Sequence, residues 1–181
     1  MHYPPTLETS RLILRPFAIS DSERVRELAG AKEVYDTTLL IPHPYKEGVA
    51  EKWISSHAQQ FYCGDGVSLA VIKKDSSDLI GSIGLAAFQK HKRAELGYWI
   101  GTPYWGNGYC TEAAKEIIRY GFEVLGYHKI SSRHMEFNPA SGRVMEKAGM
   151  QKEGLLIDEV MKDGKFHTLI VYGLINSRAE D

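Results

Sequence analysis

The stretch from Gly97 to Glu112 constrains the fold of this chain more than any other part of its sequence. An apolar run ends at Gly101, a loop carries Gly106 and Gly108, and an amphipathic run opens near Thr111. This pattern predicts a strand that turns through a glycine-rich loop into a helix. Glycines let a backbone approach a ligand without a Cβ clash, and the N–H groups of a first helical turn attract anions. The stretch therefore predicts a site for a phosphate or pyrophosphate.

Two common phosphate-binding motifs do not match this stretch. Gly101 and Gly106 have the spacing of a P-loop, but Asn107 and Gly108 stand where that motif needs lysine and a hydroxyl. A Rossmann fingerprint needs a third small residue where Thr111 stands, and no βαβ unit surrounds it. A strand-to-helix turn without any ligand remains the alternative.

The hydrophobic periodicity along the chain predicts an α+β fold. Strands are predicted at residues 11–17, 67–73, 79–88, 94–101, 128–137, 151–161 and 166–175, and helices at 23–28, 45–61, 111–125 and 140–148. Between the last two strands, Asp163 and Gly164 are typical of a hairpin. About seven strands and about four helices, with no repeat or linker, predict a single domain over 1–181 with a core of about 10–176.

Composition excludes several classes of function. Lys plus Arg total 22 and Asp plus Glu total 23, so the net charge of −1 does not favour nucleic acid as a partner. The two cysteines, Cys63 and Cys110, form neither a disulfide framework nor a Cys-x-x-Cys metal motif. Residues 1–17 contain no apolar stretch of signal-peptide length, and the run 79–88 is about half a membrane span. We therefore expect a cytoplasmic protein without a metal or a membrane partner.

A second informative segment begins at Asn138. Asn138 can cap a helix, and Pro139 suits the first helical position. Ser141 then lies in the first turn and Met145 one turn later on the same face. Helix capping alone accounts for Asn138, and a serine in a first helical turn usually has a structural role. The segment therefore indicates a function only in combination with the glycine-rich loop.

Together these segments resemble the GNAT superfamily of N-acetyltransferases, and within it the RimJ/RimL-type branch that acetylates protein N-termini. The resemblance extends from Leu7 to Tyr172 and is carried by four motifs, at residues 9–12, 97–101, 105–113 and 138–150. It implies a mixed, mostly antiparallel seven-stranded sheet. In this fold the fourth and fifth strands, here the ones predicted at 94–101 and 128–137, splay apart.

The resemblance also implies acetyl-coenzyme A as a cosubstrate and no metal. The loop from Gly106 to Thr111 would hold the pyrophosphate, the end of the fourth strand would bond to the pantetheine arm, and Asn138 would contact that arm from the other side. The implied binding residues are Tyr98, Trp99, Ile100, Gly106, Asn107, Gly108, Tyr109, Cys110, Thr111 and Asn138.

The chain departs from the superfamily pattern at several positions. Many members carry a tyrosine that protonates the departing thiolate where this chain has Met145, which leaves Ser141 as the candidate acid. Trp105 replaces an arginine or glutamine, as is usual in the branch, and Cys110 replaces a smaller residue. Thr168 stands where the branch often has aspartate, so a substrate contact there is open.

Acetyl transfer needs a neutral amine, and the candidate bases are few. Glu95 on the fourth strand is the first choice, with a solvated carboxylate beside Arg93 as the alternative. His134 is the second choice, with a structural role as its alternative. Cys110 is not expected to act as an acylated nucleophile, because no histidine lies near it in the sequence.

Two further groups of residues are candidates for the reaction centre. Backbone N–H groups near Trp99 and Ile100 would stabilise the oxyanion if the strand bulges there. Trp53, His57 and Tyr62 lie on the second predicted helix, which frames the acceptor pocket in this superfamily. The plainer alternative places Trp53 in the core and His57 on the surface.

The sequence thus predicts an N-acetyltransferase that moves acetyl from acetyl-coenzyme A to a primary amine by direct attack in a ternary complex. The expected acceptor is a protein N-terminus, for instance of a ribosomal protein, or else a small amine. A non-catalytic acyl-coenzyme A sensor, which needs neither Glu95 nor Ser141, is the alternative. Two further alternatives are an enzyme that transfers a longer acyl group and an enzyme that forms a homo-oligomer.

Overall fold

The computed structural model describes residues 4–177, which form one mixed sheet with helices on both faces. Within that range the strands are β1 (Leu7–Glu8), β2 (Leu12–Pro16), β3 (Gly66–Lys73), β4 (Leu79–Phe88), β5 (Arg93–Ile100), β6 (Lys129–Met135), β7 (Gln151–Lys162) and β8 (Lys165–Ile175). The helices are α1 (Ser22–Ala29), α2 (Lys32–Thr37), α3 (Val49–Cys63), α4 (Tyr109–Glu123) and α5 (Pro139–Lys147). The α+β prediction is confirmed.

The sheet splays in its middle, as predicted. Its strand order is β1-β2-β3-β4-β5-β6-β8-β7, and every neighbouring pair is antiparallel except β5 and β6. The parallel pairing of β5 with β6 ends at the pair Glu95–Ser131, although β5 continues to Ile100. One edge of β5 is therefore open in the interior of the sheet.

Apolar side chains bury α4 against one sheet face, while α1 and α3 cover the other. Ala113, Ala114 and Ile117 of α4 are fully buried in the larger core cluster. At Gly121 an added Cβ would lie 2.8 Å from Ile130 Cδ1, so glycine is what lets this helix approach the sheet closely. Each large aliphatic side chain buried here contributes roughly 1.5–3 kcal/mol of transfer free energy, and this packing fixes the position of the α4 N-terminus.

The structure adds two short elements that the periodicity missed, which makes eight strands and five α-helices within residues 4–177. β1 has two residues and α2 has six, so neither is long enough to show a hydrophobic period. The second predicted helix begins at Val49 rather than residue 45, because Gly48 has a left-handed φ of 83°. Similarly, α4 begins at Tyr109, directly after Gly108, and not near Thr111.

Candidate active site

The glycine-rich loop between β5 and α4 requires its two glycines. Gly106 and Gly108 have φ angles of 77° and 78°, a left-handed conformation that side chains rarely adopt. A Cβ added at Gly106 would have no atom within 4 Å, so the space over the loop is open. The first N–H groups of α4, from Tyr109 onward, have no partner inside the helix. The loop is thus an open, amide-lined surface at the positive end of a helix.

The partly buried carboxylate of Glu112 links the turn between β1 and β2 to α4. Glu112 Oε1 accepts hydrogen bonds from Thr9 Oγ1 (2.6 Å), Ser10 Oγ (3.0 Å) and the Arg11 backbone N–H (2.8 Å), while its Oε2 accepts from Arg11 Nε (2.7 Å). Burial alone would raise the pKa of Glu112, but these hydrogen bonds outweigh it and bring the pKa to about 2. Glu112 is therefore ionised at neutral pH and holds the turn in place.

The same hydrogen bonds place Arg11 beside the glycine-rich loop, a position that the sequence did not predict. Arg11 Nη1 donates to the backbone oxygen of Asn107 (3.1 Å), and the guanidinium lies 4.7 Å from the ring centroid of Tyr109. Its Nη2 lies 3.6 Å from the position of a Cβ built on Gly108. Residues 9–12 stand out as a motif in the sequence, but local sequence cannot predict a contact between residues about a hundred positions apart.

β6 leaves residues 96–100 of β5 unpaired, and the gap between the two strands is called the splay here. Every second residue of this edge directs its backbone N–H and carbonyl into the splay. The register of β5 on β4 is unbroken over its eight residues, and Gly101 N–H donates to the Ile80 carbonyl on β4 (2.8 Å). Because backbone groups alternate sides, Trp99 pairs with β4 while Tyr98 and Ile100 face the open edge. The bulge that would free the Trp99 amide is absent from β5. Of the two amides expected to stabilise the oxyanion, only that of Ile100 faces the open edge.

Ser141 and Tyr98 meet across the splay. Asn138 Oδ1 accepts the Ser141 backbone N–H (3.2 Å), so the predicted cap of α5 is confirmed, and Asn138 Nδ2 donates to the Thr37 carbonyl (3.2 Å). The Tyr98 hydroxyl lies 2.8 Å from Ser141 Oγ, and burial raises its pKa well above the usual value. Met145 lies one turn later, fully buried.

A cavity of about 680 Å³ lies between the sheet and the segment that joins α2 to α3. Its floor consists of small residues on three neighbouring strands, and its walls are aromatic. The floor is formed by Ser68, Ser82, Gly84, Ala86 and Gly97, the walls by Tyr45, Trp53 and Trp99, and residues 37–42 line the remaining side. Because Ser141 and Tyr98 also line this cavity, it reaches the splay.

Glu95 lines the same cavity and forms an ion pair there. Its Oε1 accepts from Arg133 Nε at 2.9 Å, and both side chains are partly exposed. The neighbour expected from the sequence, Arg93, instead lies over the Phe88 ring, 4.0 Å from its centroid. The partner of Glu95 comes from β6, and local sequence could not identify it.

The two histidines considered as site residues are both buried. His134 Nδ1 lies 2.8 Å from the Met135 carbonyl, and its Nε2 faces α5, where a Cβ added to Gly142 would lie 2.7 Å away. His57 packs against Trp53, with ring centroids 4.4 Å apart, and its burial lowers its pKa to about 4. The alternative that places His57 on the surface is wrong, because Phe17 and Trp53 cover it, and His57 does not line the cavity.

Two other candidate residues, Tyr62 and Cys110, do not line the cavity. Tyr62 is exposed and does not line the cavity, in contrast to Trp53. Burial raises the pKa of the Cys110 thiol to about 12, which keeps it protonated and unreactive. Among residues 4–177 no cluster of His, Cys, Asp or Glu could hold a metal ion, and no helix there is long and apolar enough to cross a membrane.

The family model of the acetyltransferase (GNAT) domain matches residues 11–151. The chain belongs to the GNAT acetyltransferase family. It is 33% identical over 177 residues to the uncharacterised N-acetyltransferase YoaA of Bacillus subtilis, covering 96% of this chain and 98% of that protein. It is 40% identical over 156 residues to the FsC-acetyl coenzyme A-N(2)-transacetylase of Aspergillus fumigatus, covering 81% and 65%. This GNAT chain is therefore an acyltransferase, more narrowly an N-acetyltransferase.

A solved structure shares the whole GNAT fold. The ribosomal L7/L12 alpha-N-protein acetyltransferase RimL, in complex with coenzyme A, superposes with a TM-score of 0.86 at 15% identity, covering 94% of this chain and 98% of that one. The predicted membership of the GNAT superfamily is confirmed by the family match, and this superposition shows that the chain shares its fold with RimL.

Proposed function

We propose that this GNAT enzyme transfers acetyl from acetyl-coenzyme A to the primary amine of a protein N-terminus, with a ribosomal protein as the first candidate. The observation that carries the proposal is the edge of β5 that β6 leaves unpaired. This edge leads from the open glycine-rich loop back to Tyr98, whose hydroxyl lies beside Ser141 where both residues line the cavity.

The donor side fits a long anionic coenzyme. Backbone N–H groups of residues 106–111 would hold the pyrophosphate, with the Arg11 guanidinium beside them as a second positive group. The open edge offers the Tyr98 backbone groups and the Ile100 N–H to the amides of the pantetheine arm, much as a strand edge pairs with an extended peptide, while the Ile100 carbonyl accepts from Trp105 Nε1 (2.6 Å). Asn138 keeps one amide hydrogen for that arm, since its other groups bond to Ser141 and Thr37.

The lining of the cavity suits an acceptor that carries one amine on an otherwise uncharged molecule. The charged residues that line the cavity are Asp65, Glu95 and Arg133, and Arg133 neutralises Glu95. A polyamine would leave most of its charges without a partner there, whereas aromatic walls suit an apolar group next to one amine. RimL, an alpha-N-protein acetyltransferase of the same fold, supports a protein N-terminus as the acceptor. The Aspergillus relative, an FsC-acetyl coenzyme A-N(2)-transacetylase, supports a small-molecule amine as the second candidate.

In the proposed reaction the amine nitrogen attacks the thioester carbonyl directly. A C–N bond forms, the C–S bond breaks, and its electron pair leaves on sulfur. Glu95, directly or through water, accepts the proton that nitrogen loses, while the Ile100 N–H stabilises the oxyanion. Ser141 donates a hydrogen bond to the departing sulfur. Alignment of the two substrates in one cavity supplies a large part of the rate.

Calorimetry and an acceptor panel test this proposal. We expect coenzyme A to bind, and acetyl-coenzyme A to react with peptide amides that have free N-termini beginning with Ser, Ala or Phe. Spermidine and an Nα-acetylated lysine amide should react slowly or not at all. Coenzyme binding without turnover on any amine would instead support an acyl-coenzyme A sensor, and a series of acyl donors from acetyl to octanoyl tests the expected chain length.

A further inference from the structure

The hydroxyl group of Tyr98 has two acceptors on the first turn of α5. It lies 2.8 Å from Ser141 Oγ and 3.0 Å from the Ser141 carbonyl oxygen. A phenol carries a single proton and a carbonyl oxygen can only accept. Tyr98 can therefore make a well-aligned hydrogen bond as donor to only one of these two oxygens at a time.

The acceptor to which Tyr98 donates determines the direction of the Ser141 hydroxyl proton. When Tyr98 donates to the carbonyl, its own oxygen is the acceptor at 2.8 Å for the Ser141 hydroxyl, whose proton then points toward Tyr98. When Tyr98 donates to Ser141 Oγ, that proton is free to bond to a group in the cavity, which both residues line.

The residue that follows Ser141 on this face of α5 offers no proton. Met145, one turn along α5 on the same face, is fully buried, and its thioether cannot donate. We propose that Tyr98 is the positioning residue for Ser141: by donating to Ser141 Oγ, it turns the serine proton toward the sulfur as the C–S bond breaks. This inference rests on the proposed function, in which Ser141 hydrogen-bonds to the departing sulfur.

The two hydroxyl groups act as donors in series and end the reaction unchanged. The amine nitrogen loses one proton, to Glu95 or water, and the sulfur gains one from water, so neither Tyr98 nor Ser141 is consumed. The phenol stays protonated throughout, because burial raises the pKa of Tyr98 well above neutral pH. A donor that itself accepts a hydrogen bond is polarised, and this strengthens its bond to an anion.

Variants at the two positions test the inference with the most reactive peptide amide of the panel. Tyr98→Phe should lower kcat about tenfold, the loss expected for one hydrogen bond to a charged group. The KM for acetyl-coenzyme A should not change. In a Ser141→Ala background the same change should cost nothing further. In Ser141→Thr, which keeps a hydroxyl, the loss should persist. Tyr120→Phe, in the same core, is the matched control and should leave kcat unchanged.

The outcomes separate this inference from the proposed function. If Tyr98→Phe keeps full kcat while Ser141→Ala is impaired, or if the two losses multiply in the double variant, Tyr98 does not act through Ser141. If Ser141→Ala keeps full kcat, the role of Ser141 in the proposed reaction fails, and the inference about Tyr98 fails with it.

Discussion

Gly97 occupies a strand position that needs no glycine for its backbone. Its φ is not in the left-handed region, and a Cβ there would have no atom within 4 Å. The open space is the cavity, and Glu95 lies two residues earlier on the same face of β5. Glycine at this position therefore keeps the cavity open, and the backbone conformation does not require it.

Gly97→Val should fill part of the cavity without disturbing the fold, because valine suits a strand. We expect kcat/KM for peptide amides to fall about tenfold or more, the effect of a blocked acceptor site. Coenzyme A affinity and the unfolding temperature should stay the same. The matched control is Gly154→Val on β7, where a Cβ also meets no atom within 4 Å. Full activity of the Gly97 variant would place the acceptor elsewhere.

A pair of glycines tests the phosphate loop in the same way. Gly106 and Gly126 have φ angles of 77° and 69° and equally open surroundings. Leucine at either position should cost about 1–2 kcal/mol of stability, because both need the left-handed region. In calorimetric titrations only Gly106→Leu should also weaken coenzyme A binding, by about tenfold, since only that side chain would meet the pyrophosphate. Equal affinities would refute the loop assignment.

The tie between the β1–β2 turn and α4 makes the stability of these elements depend on pH. Glu112 has a pKa of about 2 in the folded chain, against an ordinary value of 4.5. Between these values the unfolded chain binds the extra proton, so the free energy of unfolding decreases as pH falls from about 4.5 to 2. The contribution is complete above pH 4.5.

Glu112→Gln should therefore lower the free energy of unfolding at pH 7 by about 2 kcal/mol and flatten its decline below pH 4.5. Urea unfolding at several pH values measures both effects. Glu8→Gln, at an exposed carboxylate paired with Lys74, is the control and should change little. If the Glu112 variant retains the wild-type acid slope, the hydrogen bonds at Glu112 do not set its pKa.

Elements with a clear period were predictable, and contacts between distant elements were not. The apolar stripe of α4 and the Asp163-Gly164 hairpin were found from local pattern alone. The sequence also placed Ser141 at the start of a helix. However, the partners of Glu95 and Ser141, namely Arg133 and Tyr98, come from other strands. Such pairings arise from sheet register and packing, which no local pattern records.

At the scale of the whole molecule, the β7–β8 hairpin contacts residues 35–38, part of the segment that lines the cavity. Lys162 Nζ donates to the Thr38 carbonyl (2.9 Å) and lies 3.5 Å from the centroid of the Tyr35 ring. Tyr35 in turn bonds to Asp163 at the hairpin turn. These contacts hold the C-terminal end of α2, where helix carbonyls lack partners of their own.

Lys162→Met keeps the side chain's length but removes its charge and its hydrogen bond. We expect the KM for peptide amides to rise roughly fivefold, equivalent to about 1 kcal/mol, because the cavity wall is held less firmly. The KM for acetyl-coenzyme A should not change. Lys165→Met, at an exposed position of the same hairpin, is the control. A rise in both KM values would point to a general loss of folding instead.

The short pairing between β5 and β6 affects more than the geometry of one site. Within residues 4–177, three ladder pairs and the hydrogen bond from the His128 N–H to the Lys92 carbonyl (2.6 Å) join β5 to β6 through the backbone, and beyond Glu95 the two strands are linked through side chains, so the relative angle of the two parts of the sheet can change there. A coenzyme bound between them would contact both parts and restrict that motion. The resistance of the enzyme to proteolysis should then rise with the concentration of its donor.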